Sequence, residues 1–235
     1  MLISGITRTR IQTVAVVACV CVAAIVMTPI AVSYLHPVYP AAAEQRGRSF
    51  VGVWRYLKMY SGKFPLSQHG SKVLSRWSWR FVLARENCHM PTDATEVDWS
   101  KSWDSARGNA VESCGSWIFG RKDGSAIIVA VGGAGTAYDL GLENLTRFPR
   151  DLILFVETCR VDHNWMEPKD CDLQDFDNGV NCASSEYGGG FHVCFADGAV
   201  WYLRSDVPPQ LLRKFLTQDT AALMDRDSIL APFAI

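Results

Sequence analysis

The sequence predicts an α+β chain: an N-terminal transmembrane or spine helix followed by an antiparallel β-sheet domain. Three observations predict it. Residues 11–32 are apolar and uncharged, residues 42–60 carry a helical stripe, and the second half holds short β-favouring runs. The last two of those runs flank Asp197-Gly198, the dipeptide most often found in a two-residue type I′ hairpin turn, where both central residues need positive φ.

The N-terminal element spans Ile11 to Val32, and no Asp, Glu, Lys or Arg occurs between Arg10 and Glu44. A helix there would be about 33 Å long, enough to cross a bilayer. Arg8 and Arg10 precede it, which puts the N-terminus in the cytoplasm and the body outside the inner membrane. A signal anchor fits the length best. A cleaved signal peptide would use the small residues Ala41-Ala42-Ala43, and a buried core helix would have to be apolar on every face. A signal anchor is the expectation. The chain then divides into residues 1–10 (cytoplasmic), 11–32 (anchor), 33–43 (a Pro/Ala linker) and 44–235 (the exported domain).

In that domain Phe50, Val53, Trp54, Leu57 and Tyr60 recur at helical spacing, with Arg46, Arg48, Arg55 and Lys58 largely off the stripe. Gly62 and Pro65 end the helix. Residues 79–83, 126–131 and 152–156 read as strands, the second apolar on both faces and therefore central. The hairpin strands follow at 192–196 and 199–203, and Pro208-Pro209 then opens a short helix over 210–217 with Leu211, Leu212 and Phe215 for packing. The last dozen residues carry no motif.

With 49 % apolar and 20 % charged residues the chain can bury a core and is not disordered. The net charge of −1 comes without a basic stripe, which excludes nucleic acid as a partner class. Cys19 and Cys21 lie in the apolar segment as small hydrophobes. Cys88, Cys114, Cys159, Cys171, Cys182 and Cys194 form an even set of disulfide candidates for an oxidising compartment, with Cys171–Cys182 the nearest short-range pair. No Cys-x-x-Cys occurs, which argues against a zinc ribbon or thioredoxin-type site.

Several segments together resemble one bacterial family. Residues 54–65 resemble the end of its spine helix running into Tyr-x-x-x-Gly-x-Phe-Pro, and Ser78-Trp79-Arg80 its Ser-Trp-Arg strand opening. Trp103-Asp104-Ser105 with Asn109, the loop Val131 to Ala137 with Gly135 and Thr136, and the strand ending in Glu157 follow in the family's order. So do Trp165, Pro168 and Asp170, then Gly189, Gly190, Phe195, Asp197 and Gly198. The family is the pilin-like, envelope-anchored group catalogued as domain of unknown function fifteen-fifty-nine. The resemblance covers about residues 50–217 and implies a pilin-like fold and an envelope location. Arg10 stands where the family's pilin-type processing site has glutamate, so assembly through that glutamate is not implied. Tyr187 and His192 replace the family's usual His and Asn.

Candidate chemistry is sparse. Gly132-Gly-Ala-Gly-Thr136 lacks the spacing of a dinucleotide or P-loop site. Asp170, Asp172, Asp175 and Asp177 offer oxygen ligands for calcium, which some pilin-like proteins bind, but without EF-hand spacing the default is a solvated loop. Cys159 with His163, and Cys194 with His192, are the only neighbouring nucleophile–base pairs, and Glu157 with Asp170 could serve as an acid–base pair. Tryptophans offer a binding alternative, with Trp77 and Trp99 as candidates for exposure. The expectation is a structural or accessory, pseudopilin-like envelope protein, not an enzyme and without cofactor, whose partners are the inner membrane through residues 11–32 and other envelope proteins. The alternatives are a surface module binding glycan or protein through aromatics and, last, an envelope hydrolase.

Overall fold

The computed structural model of the chain describes residues 41–59, 77–87, 98, 100–106, 119–120, 125–140, 145–159, 163–177, 183–184 and 189–235. The chain divides into two compact units, Met1–Tyr39 and Pro40–Ile235, and every described residue belongs to the second. Among the described residues no helix is long and apolar enough to cross a membrane, and residues 11–32 lie outside them.

Helix α1 spans Ala41–Met59, so it starts inside the stretch read as linker. Glu44 in its first turn and Lys58 in its last complement the helix dipole, and Arg48 reaches back one turn to Glu44 at 2.6 Å. Its buried stripe is Ala43, Arg46, Phe50, Val53, Tyr56 and Leu57, with Trp54 half-buried. This reproduces the predicted spacing except that Tyr56 joins the stripe and Tyr60 lies outside the described residues.

A five-stranded sheet follows, in the order β3-β1-β2-β4-β5. Its strands are β1 Ile128–Gly132, β2 Ile153–Glu157, β3 Cys171–Asp172, β4 Gly190–Phe195 and β5 Val200–Arg204. The pairs β1–β2, β2–β4 and β4–β5 are antiparallel, as expected. The edge is not: β3 runs parallel to β1, with Val131 opposite Cys171, so the sheet is mixed. Two residues of pairing at the end of a long connection gave no strand signal in the sequence. All of β2 and β4 and nearly all of β1 are buried, whereas β5 at the edge is partly open. On β4 and β5, paired His192 and Tyr202 face α1, where Phe50 meets the His192 ring at 5.7 Å. Phe195 and Trp201 face the opposite side, beneath the C-terminal segment.

Residues 79–83 are not the predicted strand but the start of helix α2, Trp79–Asn87. Ser78 opens it: its hydroxyl accepts the N–H of Arg80 at 3.0 Å and its carbonyl that of Val82 at 3.3 Å. Residues 77–84 are buried on every side, so no polar face marks the helical period, and tertiary packing overrides the strand propensity of the aromatic and β-branched residues.

Helix α3 (Leu173–Asp177) follows β3, and α4 (Pro209–Arg213) follows β5 with proline in its first turn. Helix α4 is shorter than predicted because its chain turns off to let the carbonyl of Phe215 accept the N–H of Ile153 at 2.7 Å. The motif-free tail is also ordered, through α5 (Gln218–Ala221), α6 (Arg226–Ile229) and a short 3₁₀ turn. Ala234 bridges Leu203 and Ile235 N–H donates to Tyr202 O at 2.9 Å, partly covering the β5 edge.

Candidate functional site

The sequence-predicted residues gather at two places and at a buried pair between α1 and the sheet. The first place is built around Arg80, which is fully buried. Its Nε donates to the carbonyl of Trp165 at 2.9 Å, and Nη2 to those of Glu167 at 3.0 Å and Lys169 at 2.7 Å. Its Nη1 meets the Asp170 carboxylate and, at 3.5 Å, the Ile128 carbonyl. Asp170 also accepts Trp79 Nε1 at 3.0 Å and the N–H of Ala130 at 2.9 Å. The guanidinium fork thus ties α2 to β1 and to the 163–170 turn that carries Trp165 and Pro168. Burial raises the Asp170 carboxyl above its usual range, opposed but not outweighed by Arg80 and the N–H donors. Burial and the Asp170 charge push the nearby Tyr138 hydroxyl up to about 12.

Three of the calcium candidates are placed by this geometry, and the fourth is not. Asp170 faces Arg80, Asp172 accepts the N–H of Gln174 at 2.9 Å, Asp175 lies on α3, and the side chain of Asp177 lies outside those described. Among the described residues no group of His, Cys, Asp or Glu could hold a metal ion.

The buried pair is Glu157 with His192. Glu157 Oε2 lies 2.6 Å from His192 Nδ1 and accepts the His192 backbone N–H at 3.0 Å, with both side chains buried. Glu157 and Asp170 therefore engage separate partners. The Cys194 thiol on the same strand donates to the Phe195 carbonyl at 3.7 Å, and burial pushes it up, the reverse of what a nucleophile needs. Cys159 Sγ is 3.2 Å from Ser184 Oγ. Cys159, Cys171 and Cys194 are thiols in this structure, while Cys88, Cys114 and Cys182 lie outside the described residues.

The second place is the hairpin rim. The connection is not the two-residue type I′ turn the Asp-Gly pair predicts. Phe195 N–H donates to Ala199 O and Gly198 N–H to Phe195 O, both at 2.9 Å, and Gly198 has φ +91°. This is a three-residue loop, Ala196-Asp197-Gly198, closed by a left-handed glycine. A Cβ on Gly198 would lie 2.4 Å from the Trp54 indole, which packs across the turn and donates Nε1 to Ala196 O at 3.1 Å. Asp197 Oδ1 accepts the N–H of Ala199 at 2.9 Å and the carboxylate takes both Nη atoms of Arg226, Oδ1 to Nη1 at 2.8 Å. Arg226 also lies over Phe195 and Trp201, 4.7 and 5.6 Å from their centroids, and its Nε is 3.4 Å from Asp151. Burial raises Asp197, but the Arg226 hydrogen bond, the Ala199 N–H and the neighbouring arginines outweigh it and hold the carboxyl below its ordinary range.

The other positions that carry the resemblance make packing and backbone contacts. Gly190 lets β4 approach β5, since a Cβ there would lie 2.3 Å from Leu203 O. Gly189 O accepts Ser205 N–H at 3.0 Å, Gly135 O accepts Gln218 N–H at 2.8 Å, and Thr136 Oγ1 donates to Gly133 O at 2.8 Å. Trp103 is half-buried in a 3₁₀ turn, Asp104 accepts Ser102 Oγ, and Trp165 is buried. Trp77 is not exposed as predicted: it is 1 % exposed, 4.4 Å from the Phe81 ring, with Nε1 donating to Lys101 O at 2.9 Å. Trp99 lies outside the described residues. Arg226 is marked in the sequence only by the Asp225-Arg226-Asp227 alternation, and Asp151 by nothing. The chain matches no family model, no curated protein and no solved structure.

Proposed function

We propose that this chain is a membrane-anchored, exported structural or accessory protein of the cell envelope, pseudopilin-like in build and without a catalytic step. Residues 11–32 hold it in the inner membrane with Arg8 and Arg10 on the cytoplasmic side, and the domain stands in the periplasm or outside the cell. The observation that supports this reading best is α1. It begins nine residues after the apolar span and lays Phe50 and Trp54 across the β4–β5 hairpin, a spine-on-sheet arrangement suited to carrying a domain on an anchor. The family motifs fit the same role, because Arg80, Asp170, Gly190 and Gly198 are consumed in holding elements together. A reporter fused after Ile235 tests the reading: activity only in the envelope is expected, and activity only in the cytoplasm overturns it. Crosslinking in intact membranes followed by pull-down of the full chain should recover envelope proteins, and recovery of the chain alone from every growth condition counts against an accessory role.

A further inference from the structure

A basin opens beside the hairpin rim, at the end of α1 remote from Ala41. It encloses about 260 Å³ between Trp54 and Lys58 of α1, the Leu145–Phe148 turn, Arg150 and Asp197. That is just under the usual range for drug-sized ligands and suits a single ring. Leu145 and Phe148 give an apolar floor, and Thr146 is an exposed hydroxyl at the rim. Two of the three charged side chains that line it have ion-pair partners. Arg150 is held by Asp151 at 3.2 Å and Asp227 at 2.9 Å, and Asp197 by Arg226. Lys58 has no carboxylate partner among the described residues, and its ammonium lies 4.9 Å over the Trp54 ring.

We propose that this basin binds the carboxylate-bearing ring of an acidic glycan, a uronic acid residue. The carboxylate meets the unmatched Lys58 ammonium, the C–H face of the sugar lies on Leu145 and Phe148, and the ring hydroxyls reach Thr146 and the Asp197 oxygens. A neutral sugar would gain nothing from the Lys58 charge, and a flat aromatic acid would leave the polar rim unused. The inference goes beyond the accessory role and does not depend on it.

The test is calorimetric titration of the full chain in detergent with trigalacturonic acid, maltotriose and benzoate. Trigalacturonic acid should bind with a Kd of about 1 mM or below, and more weakly as salt rises. Lys58→Gln should weaken it about tenfold or more, because a charge-assisted contact is lost. Arg55→Gln, which removes an exposed α1 cation outside the basin, should leave binding unchanged. Lys58 is exposed, so an unchanged unfolding midpoint shows that Lys58→Gln still folds. The proposal is overturned if trigalacturonic acid fails to bind, if Lys58→Gln binds it as well as the unaltered chain, or if maltotriose or benzoate binds as tightly.

Discussion

Two arginines of this domain are each buried and each paired with an aspartate, yet they are held in opposite ways. Arg80 sits among backbone carbonyls in the interior and its partner Asp170 is almost fully enclosed. Arg226 sits at the rim, stacked on Phe195 and Trp201, and a third of its partner Asp197 reaches solvent. The carboxyls respond accordingly. Burial prevails at Asp170 and raises it, whereas the partner prevails at Asp197 and lowers it. The same ion pair thus joins interior elements at one place and fastens a peripheral segment at the other.

The largest expected effect is at the interior arginine. Arg80→Met leaves Asp170 buried without its cation and strips hydrogen bonds from the carbonyls of Trp165, Glu167 and Lys169. It should cost about 3–5 kcal/mol in denaturant unfolding of the full chain followed by tryptophan fluorescence. A cost below about 1 kcal/mol would make the interior pair no more than a surface contact and end the contrast.

Gly198→Val comes next. Its backbone must stay at φ +91° and its Cβ overlaps the Trp54 indole, so strain and overpacking act together. About 2–5 kcal/mol is expected, more than the backbone term alone. If Trp54→Ala does not relieve part of that cost, the indole is not what opposes the side chain.

At the rim, Arg226→Met keeps much of the apolar contact with Phe195 and Trp201 but loses the bidentate pair with Asp197. About 1–3 kcal/mol is expected, less than for Arg80→Met, because the aspartate left behind can hydrate. Faster amide exchange should appear first in residues 218–235, including the Ile235 N–H that Tyr202 O receives. Exchange spreading at once through β1 and β2 would show that the tail is part of the core.

What the sequence disclosed depended on how each element makes its signal. Helix α1 has one buried face, so its period was readable, and β1, β2 and the hairpin were located within a residue or two. Helix α2 was misread because burial on all sides erases the period. The Asp-Gly pair located the turn but not its type, since glycine supplies a positive φ equally to a two-residue and a three-residue loop. Trp79, Glu157 and Asp170 stood out by type, but their partners are distant in sequence: Trp79 and Asp170 are 91 residues apart. Arg226 could not be found that way, because its role exists only once Asp151 and Asp197 are beside it.

Acid sharpens the comparison with the smallest effect. Asp197 is lowered in the folded state, so its stabilisation is complete above the ordinary carboxylate pKa of about 3.9 and is lost as pH falls through the lowered value. Asp170 is raised, so acid favours its folded, protonated form and removes no stability on its account. Arg226 stays charged throughout. The stability gap between the unaltered chain and Arg226→Met should therefore hold constant from neutrality to about pH 5 and narrow below about pH 4. With Asp197 part-exposed, the narrowing should stay under about 1 kcal/mol. Paired denaturation curves at pH 7, 5 and 3.5 in constant salt measure it. A gap that does not change with pH would mean that Arg226 stabilises the rim through Phe195 and Trp201 alone, and that its bond to Asp197 adds nothing.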